Sequence, residues 1–290
     1  MRRLPVLPAL AGLLLFLVSL PLYSAVELRQ SSGEALVLEQ PAQRIITLAP
    51  HLAELVYSAG AGESLLATVE YSDFPAEVAQ LPRIGDAFRI DLERVLALKP
   101  DLVIAWESGN PPAAVAQLRD LGITTWTVEI REPAEIASTL RAIGRATRKA
   151  QTADQLADDF DQRLAALESR FQGSPPVSYF YQIDSDPLFT LNGKHLVSKG
   201  LALCGGENIF ADVPGLAVQV SHEAVIARDP AAILSPVSDV NRDPLEHWRR
   251  WPQMQAVEAN ALYGLPADEI SRATLRWLDS LELACTLLHP

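Results

Sequence analysis

Strand-like stretches rich in β-branched and apolar residues, Arg44-Ile-Ile-Thr-Leu48, Leu102-Val-Ile-Ala105 and Ile123-Thr-Thr-Trp-Thr-Val128, recur between turn signals. Runs of this kind predict strands buried on both faces. Between them the apolar period lengthens to that of a helix. His51 to Ala59 closes at Gly60, Pro111 to Leu121 stops at Gly122, and Pro133 to Arg148 follows. Ser64 to Val69 is a second strand candidate, followed by a loop containing Tyr71, Asp73, Phe74 and Pro75. The alternation predicts an α/β sheet.

The rhythm changes at Thr147. Leu156, Phe160, Leu164, Leu167 and Phe171 share one helical face, charged residues lie between them, and Gly173 and Pro175-Pro176 stand beyond. This predicts one amphipathic helix over 147–172, about 39 Å long at about 1.5 Å per residue, which is enough to bridge two lobes. Val177 to Ile183 resumes a strand pattern, and His195 to Leu203 reads as a helix ending at Gly205-Gly206. Ala256 to Leu262 reads as a weak strand, and Ser271 caps a final helix running to about Leu288.

Two segments repeat one another. Asp91-Leu-Glu-Arg-Val-Leu-Ala-Leu-Lys-Pro100 leads into Asp101-Leu-Val-Ile-Ala105, and Ser221-His-Glu-Ala-Val-Ile-Ala-Arg-Asp-Pro230 leads into Ala231-Ala-Ile-Leu-Ser235. Each has a capping residue, a glutamate two positions on (Glu93, Glu223), a short helix, a proline stop and a strand. Such αβ units are common, and coincidence is the competing explanation. A duplication instead implies two α/β lobes joined by a single long rigid helix, with a ligand cleft between the lobes. The expected bounds are 44–146 for the first lobe, 147–173 for the bridging helix and 176–290 for the second lobe.

Composition agrees: 290 residues at 49% hydrophobic content can bury one large core or two smaller ones. Arg2 and Arg3 precede the apolar run Leu10 to Leu20, which Pro8 and Pro21 bracket and Ser24-Ala25 follow. That is the layout of a secretory signal over 1–25 and predicts an exported protein. Tyr23 or Leu22 at the position that prefers a small residue leaves an uncleaved anchor as the alternative. The formal charge of −12 argues against nucleic acid, whose phosphates it would repel. An exported chain meets an oxidising compartment, so Cys204 and Cys285, the two cysteines, are expected to pair; two buried free thiols are the alternative.

No enzyme signature is present: no glycine-rich phosphate loop, no Gly-x-Ser-x-Gly elbow and no closely paired zinc histidines. The chain reads as a non-enzyme with no cofactor of its own. It does carry aromatics at expected strand ends and loops. Trp106 should emerge at the carboxyl end of a strand, where open α/β sheets place ligands. Tyr71, Phe74, Phe88 and Phe189 lie in or beside loops, and such rings suit a broad flat ligand, although each could also pack under its own loop. Trp126 and Trp277 fall inside elements and read as core; Trp248 and Trp251 are open. His51, after Pro50, reads as a capping residue or, less readily, a metal ligand. Arg272 either contacts ligand or pairs with Asp268 or Glu269.

The segments Arg44 to Pro50 with Glu54-Leu55, Tyr71-Ser-Asp-Phe-Pro75, Asp91 through Trp106, Phe189-Thr190, Cys204-Gly-Gly-Glu-Asn-Ile-Phe210 and Val220-Ser-His-Glu223, in this order and spacing, resemble the cobalamin-binding branch of the helix-bridged substrate-binding proteins of ABC importers. The resemblance runs from about Arg44 to Cys285. It implies a monomer that captures cobalamin or a related corrinoid and presents it to an inner-membrane ABC transporter permease. A haem or ferric-siderophore carrier of the same fold is the alternative. It further implies that Tyr71, Trp106 and Phe189 meet the ring, that Asp268 and Arg272 lie near the ligand, that Glu93 and Glu223 dock to the permease, and that Cys204 and Cys285 are joined; Phe88 joins the ligand-binding candidates on its place before the first repeated unit. Where cobalamin binders of this kind place tryptophans before the two repeated units, this chain has Ala87, with Phe88 beside it, and Ala217. The pocket is therefore expected to be looser or to hold a different corrinoid. His51 falls outside the pattern and bears on an axial position of the metal.

Overall fold

Ile45 and Ile46 are adjacent and both fully buried, yet they enter different apolar clusters, because successive side chains leave opposite faces of a strand. The computed structural model describes residues 25–238 and 243–290; residues 1–24 of the expected signal lie outside them. An antiparallel hairpin, β1 (Val26–Arg29) and β2 (Ala35–Leu38), precedes the first sheet. That sheet is parallel, ordered β4-β3-β5-β6 from β3 (Ile45–Thr47), β4 (Leu65–Ala67), β5 (Leu102–Trp106) and β6 (Thr125–Val128). Helices α1 (Pro50–Val56), α2 (Ala76–Ala79), α3 (Leu92–Leu98), α4 (Pro112–Asp120) and α5 (Pro133–Ala146) complete this half. Strands β3, β5 and β6 are buried along nearly their whole length, as in a sheet covered on both faces.

The long helix is α6 (Ala150–Phe171), about 33 Å at about 1.5 Å per residue. It begins three residues later than its periodicity suggests, because Arg148 turns at φ 61° and lets α6 fold back along α5. The two helices approach most closely at Gly144, where an added Cβ would meet the Ala153 Cβ at 2.3 Å. Farther along, α6 packs on the second half of the molecule.

In that half the sheet is mixed, ordered β10-β8-β7-β11-β12, with β9 also paired to β7. Its strands are β7 (Val177–Ser185), β8 (Leu188–Leu191), β9 (Gly206–Asn208), β10 (Ala217–Gln219), β11 (Ala232–Val237) and β12 (Leu262–Pro266). Its helices are α7 (Leu196–Leu203), α8 (His222–Arg228), α9 (Gln255–Glu258), α10 (Ala267–Ile270) and α11 (Arg276–Leu288). Two expectations are corrected here. The weak strand over 256–262 is mostly the turn of α9, fixed by Asp229, whose carboxylate accepts from the Gln255 N–H, and β12 starts only at Leu262. Ser271 does not open the last helix: it ends α10, and the chain turns at Thr274, whose N–H donates to the Arg272 carbonyl, before α11 begins at Arg276.

The repeated unit recurs in geometry. Arg94 N–H donates to the Asp91 side chain and Ala224 N–H to the Ser221 hydroxyl, so α3 and α8 share one cap. Both also end in a left-handed residue, Lys99 and Asp229. One contiguous buried apolar cluster joins Ile45, Leu102 and Ile104 to Phe160 and Leu167 of α6 and to Tyr179, Tyr181 and Leu234 of the second sheet. Cys204 and Cys285 form a disulfide, Cα to Cα 5.7 Å, which ties the end of α7 to α11.

Candidate functional site

A cavity of about 350 Å³ lies between the two sheets, at the carboxyl end of β5 and β6, where an open α/β sheet exposes its loops. Tyr71 and Trp106 line it from the first half and Arg272 from the second, with His51, Glu129, Arg131 and His195. Phe88, Phe189 and Asp268 are not among its lining residues. Phe88 is 70% exposed on the loop before α3, and Phe189 is half-buried within β8. Asp268 stands behind Arg272, paired to it at 2.9 Å.

Trp106 is held from two sides. Its N–H donates to the buried Asn110 side chain at 2.6 Å, and the Asn110 amide in turn donates to the carbonyls of Leu48 and Ala87. One residue thus ties the ends of two strands to the loop carrying Phe88. Beneath the indole, Gly109 lies so close that a Cβ would come within 1.8 Å of the ring.

Tyr71 occupies a left-handed conformation, φ 64°, and is 77% exposed. A bulky residue there is strained, and such strain concentrates at functional sites. The neighbouring Ser72 holds the loop: its hydroxyl shares a hydrogen bond with Thr68, which accepts from Thr47, and its carbonyl accepts from Arg83. The second half grips the far end of the same loop. Arg272 donates to Asp73 at 2.7 Å, and the Arg276 guanidinium lies 3.7 Å from the Phe74 ring centroid. Burial pushes the Asp73 carboxyl up, but the hydrogen bond and charge of Arg272 outweigh it, and the group sits below its usual range. Arg276 also forms a two-pronged pair with Glu54 at 2.8 and 2.7 Å; the Glu54 side chain is 3% exposed.

Two histidines face the cavity, one from each half. His51, in the first turn of α1, stands edge-on to Trp106 with ring centroids 5.3 Å apart and planes at 88°. Burial, then the charge of Arg272, lowers it to about 4, so the imidazole is neutral near pH 7. His195 caps α7, its Nδ1 accepting from the Val197 N–H at 3.2 Å, and burial followed by the charge of Arg131 lowers it to about 4 as well. His195 was legible only as the start of a helix. Glu129 and Arg131 could have been found by the rule that singled out Trp106, since they follow the end of β6 directly.

Glu93 and Glu223 are exposed in the first turns of α3 and α8. Each helix precedes a strand parallel to its neighbours, so its first turn lies at the carboxyl edge of the sheet, the edge that also carries the cavity. Hydrogen bonds from its own N–H and from Ser221 hold the Glu223 carboxyl below its usual range.

The curated vitamin B12-binding protein of Vibrio cholerae serotype O1 is 39% identical over 249 residues, covering 86% of this chain and 90% of the relative. The crystal structure of the periplasmic vitamin B12 binding protein BtuF of Vibrio cholerae superposes with a TM-score of 0.80, covering 86% of this chain and 97% of that one. The periplasmic haem-binding protein HutB of the same organism, at 20% identity, TM-score 0.74 and 86% and 99% coverage, shares the fold. The model of one family, described as periplasmic binding protein, matches residues 45–269, and the chain belongs to that family.

Proposed function

We propose that this chain captures cobalamin or a related corrinoid between its lobes in the periplasm and delivers it to an ABC importer, releasing its cargo chemically unchanged. The observation that carries the reading is the convergence of Tyr71, Trp106 and Arg272, from both halves, on one cavity at the carboxyl edge of the first sheet. The relative of known name that is 39% identical, a vitamin B12-binding protein, supports the choice of cargo. A corrinoid is larger than about 350 Å³, so part of it enters and the remainder lies over the rim, where Tyr71 and Phe88 are exposed. In this reading Tyr71 and Trp106 pack on the macrocycle, Phe88 and Phe189 extend the apolar rim, and Arg272, oriented by Asp73 and Asp268, donates to the peripheral amides. Glu93 and Glu223 meet cationic side chains of the permease. The lobes of this carrier are residues 44–146 and 176–290.

Calorimetric titration of the purified protein with cyanocobalamin, followed in parallel by tryptophan quenching, tests this. Saturation at micromolar ligand or below is expected. Absence of binding at micromolar cyanocobalamin, with binding of haem in the same cell, would replace the cargo.

A further inference from the structure

We infer that His51 is an axial ligand for the cobalt of the captured corrinoid, displacing a labile ligand from the metal's exposed face. The inference rests on the cobalamin reading above and goes beyond it, because it assigns a bond to the metal rather than contacts around the macrocycle.

Three observations converge. First, His51 is 9% exposed and lines the cavity, yet neither ring nitrogen has a hydrogen-bond partner among the described residues. Its nitrogens are not among the fully buried unpartnered polar atoms and so are open to the cavity, and metal coordination is one use for a lone pair left unclaimed inside a ligand site. Second, the ring stands at 88° to the Trp106 indole. A macrocycle stacked on that indole would lie parallel to it, and an axial imidazole must stand perpendicular to the macrocycle it ligates. Third, the other cavity histidine is excluded by its own hydrogen bond. His195 Nδ1 accepts from Val197, which leaves the proton on Nε2, so it could ligate only by giving up the cap of α7. The three remaining histidines lie outside the cavity: His222 packs on Trp248 and Trp251, His247 on Trp248, and His289 on Phe171 with its Nε2 at 2.6 Å from the Cys204 carbonyl.

The exchange is balanced. The cobalt-bound water departs with its electron pair as neutral water, and one His51 nitrogen donates its lone pair to the vacated position. No electron is transferred and no proton moves. A cyanide on the same face is far less labile and stays in place. The structure therefore makes this chain selective for cobalamins whose exposed face carries water.

The test compares aquocobalamin with cyanocobalamin on the wild-type chain and on the His51→Ala and His51→Gln variants. With the wild type, aquocobalamin is expected to bind about tenfold more tightly than cyanocobalamin. Its visible absorption bands should shift to those of the imidazole adduct, while cyanocobalamin keeps its free spectrum. Far-UV circular dichroism and urea unfolding report that both variants fold, and both should lose the aquocobalamin shift; free imidazole should restore it in His51→Ala. A wild type that binds both ligands without any shift, or a shift that persists in both variants, overturns the inference and leaves the cobalamin reading intact. Failure of the wild type to bind either cobalamin overturns that reading and this inference with it.

Discussion

Replacing Arg276 with methionine leaves the Glu54 carboxylate, whose side chain is 3% exposed, without the two hydrogen bonds at 2.7 and 2.8 Å that compensate its burial. Breaking a buried ion pair by removing one partner typically costs about 3–5 kcal/mol, because an uncompensated charge remains inside. Loss of the guanidinium from the face of Phe74 adds about 0.5–2 kcal/mol. Glu269, 3.9 Å from Arg276, is too distant and too exposed to change the total. The expected destabilisation is therefore about 5 kcal/mol, read from urea unfolding at pH 7 with the slope held fixed.

A double-mutant cycle separates the charge pair from simple loss of packing. Glu54→Leu alone strands a partly exposed arginine and should cost less than Arg276→Met. With both changes present no charge is left unpaired, and the double variant should recover to within about 1 kcal/mol of the wild type, since apolar replacement of a whole buried pair is often neutral. A loss under about 1 kcal/mol for Arg276→Met, or additive losses in the double variant, would refute the argument. The pair joins α1 to α11 across the lobes, and Arg276 also steadies the loop of Tyr71. Corrinoid affinity should therefore fall in Arg276→Met even where the protein remains folded.

Other sites give shorter tests. Gly109→Ala must push the Trp106 ring aside, an overpacking of about 1–3 kcal/mol, and corrinoid affinity measured by calorimetry should drop about tenfold or more; an unchanged Kd contradicts the placement of that ring. Replacing both Cys204 and Cys285 with serine opens a loop of 81 residues and should remove up to about 4.5 kcal/mol in the chain-entropy picture, and a urea midpoint equal to that of the oxidised wild type would show otherwise. His195 has a folded value of about 4 against 6.5 unfolded, so the unfolded chain binds more protons between them. The associated stability, about 3 kcal/mol at about 1.4 kcal/mol per unit, is complete above 6.5 and lost as pH falls towards 4; His195→Asn keeps an acceptor for Val197 and should flatten that part of the profile. Reversing Glu93 and Glu223 together to lysine should leave cyanocobalamin binding unchanged and abolish uptake in vesicles reconstituted with the permease, whereas loss of binding would place these residues in the pocket.

The α/β alternation, the long helix and the repeated unit were legible because each is a local periodic signal: apolar runs for strands, a helical stripe from Leu156 to Phe171, and a cap, glutamate and proline in fixed order. The errors fall where local signal is weak or tertiary contact decides. The residues from Ala256 to Leu262 carry a strand-like pattern, but the Asp229 carboxylate organises the start of α9 from outside the segment. Trp106 was found because its place at a strand end is a topological fact. His195 and Lys194 reach the same cavity only because α6 brings the two sheets together, and no window of sequence contains both sides of that cleft. Phe189, which the aromatic criterion also singled out, lies in β8 opposite Gln219 and Asp184, beside rather than in the lining of the cavity.

The shared apolar cluster explains why the carrier is rigid and where its motion must lie. A wide hinge between the lobes would separate Ile45, Leu102 and Ile104 from Tyr179, Tyr181 and Leu234. Each large side chain returned to water would cost about 1.5–3 kcal/mol, and the Glu54–Arg276 pair would break as well. The contacts at the mouth are cheaper. Asp73–Arg272 and Glu132–Lys199 both cross the cleft, and Asp73 and Glu132 are more than half exposed, so each pair is of the weak solvated kind. In the proposed carrier, cargo is therefore expected to enter and leave by parting these edge pairs and shifting the Tyr71 loop, while α6 and the core beneath it keep the two lobes in register. The same rigidity fixes the distance between Glu93 and Glu223, since each is set by a capped helix on a sheet that cannot swing. In the proposed docking, a permease would read the pair as a ruler, and the signal that cargo is present would come from the cleft edge rather than from a change in that spacing.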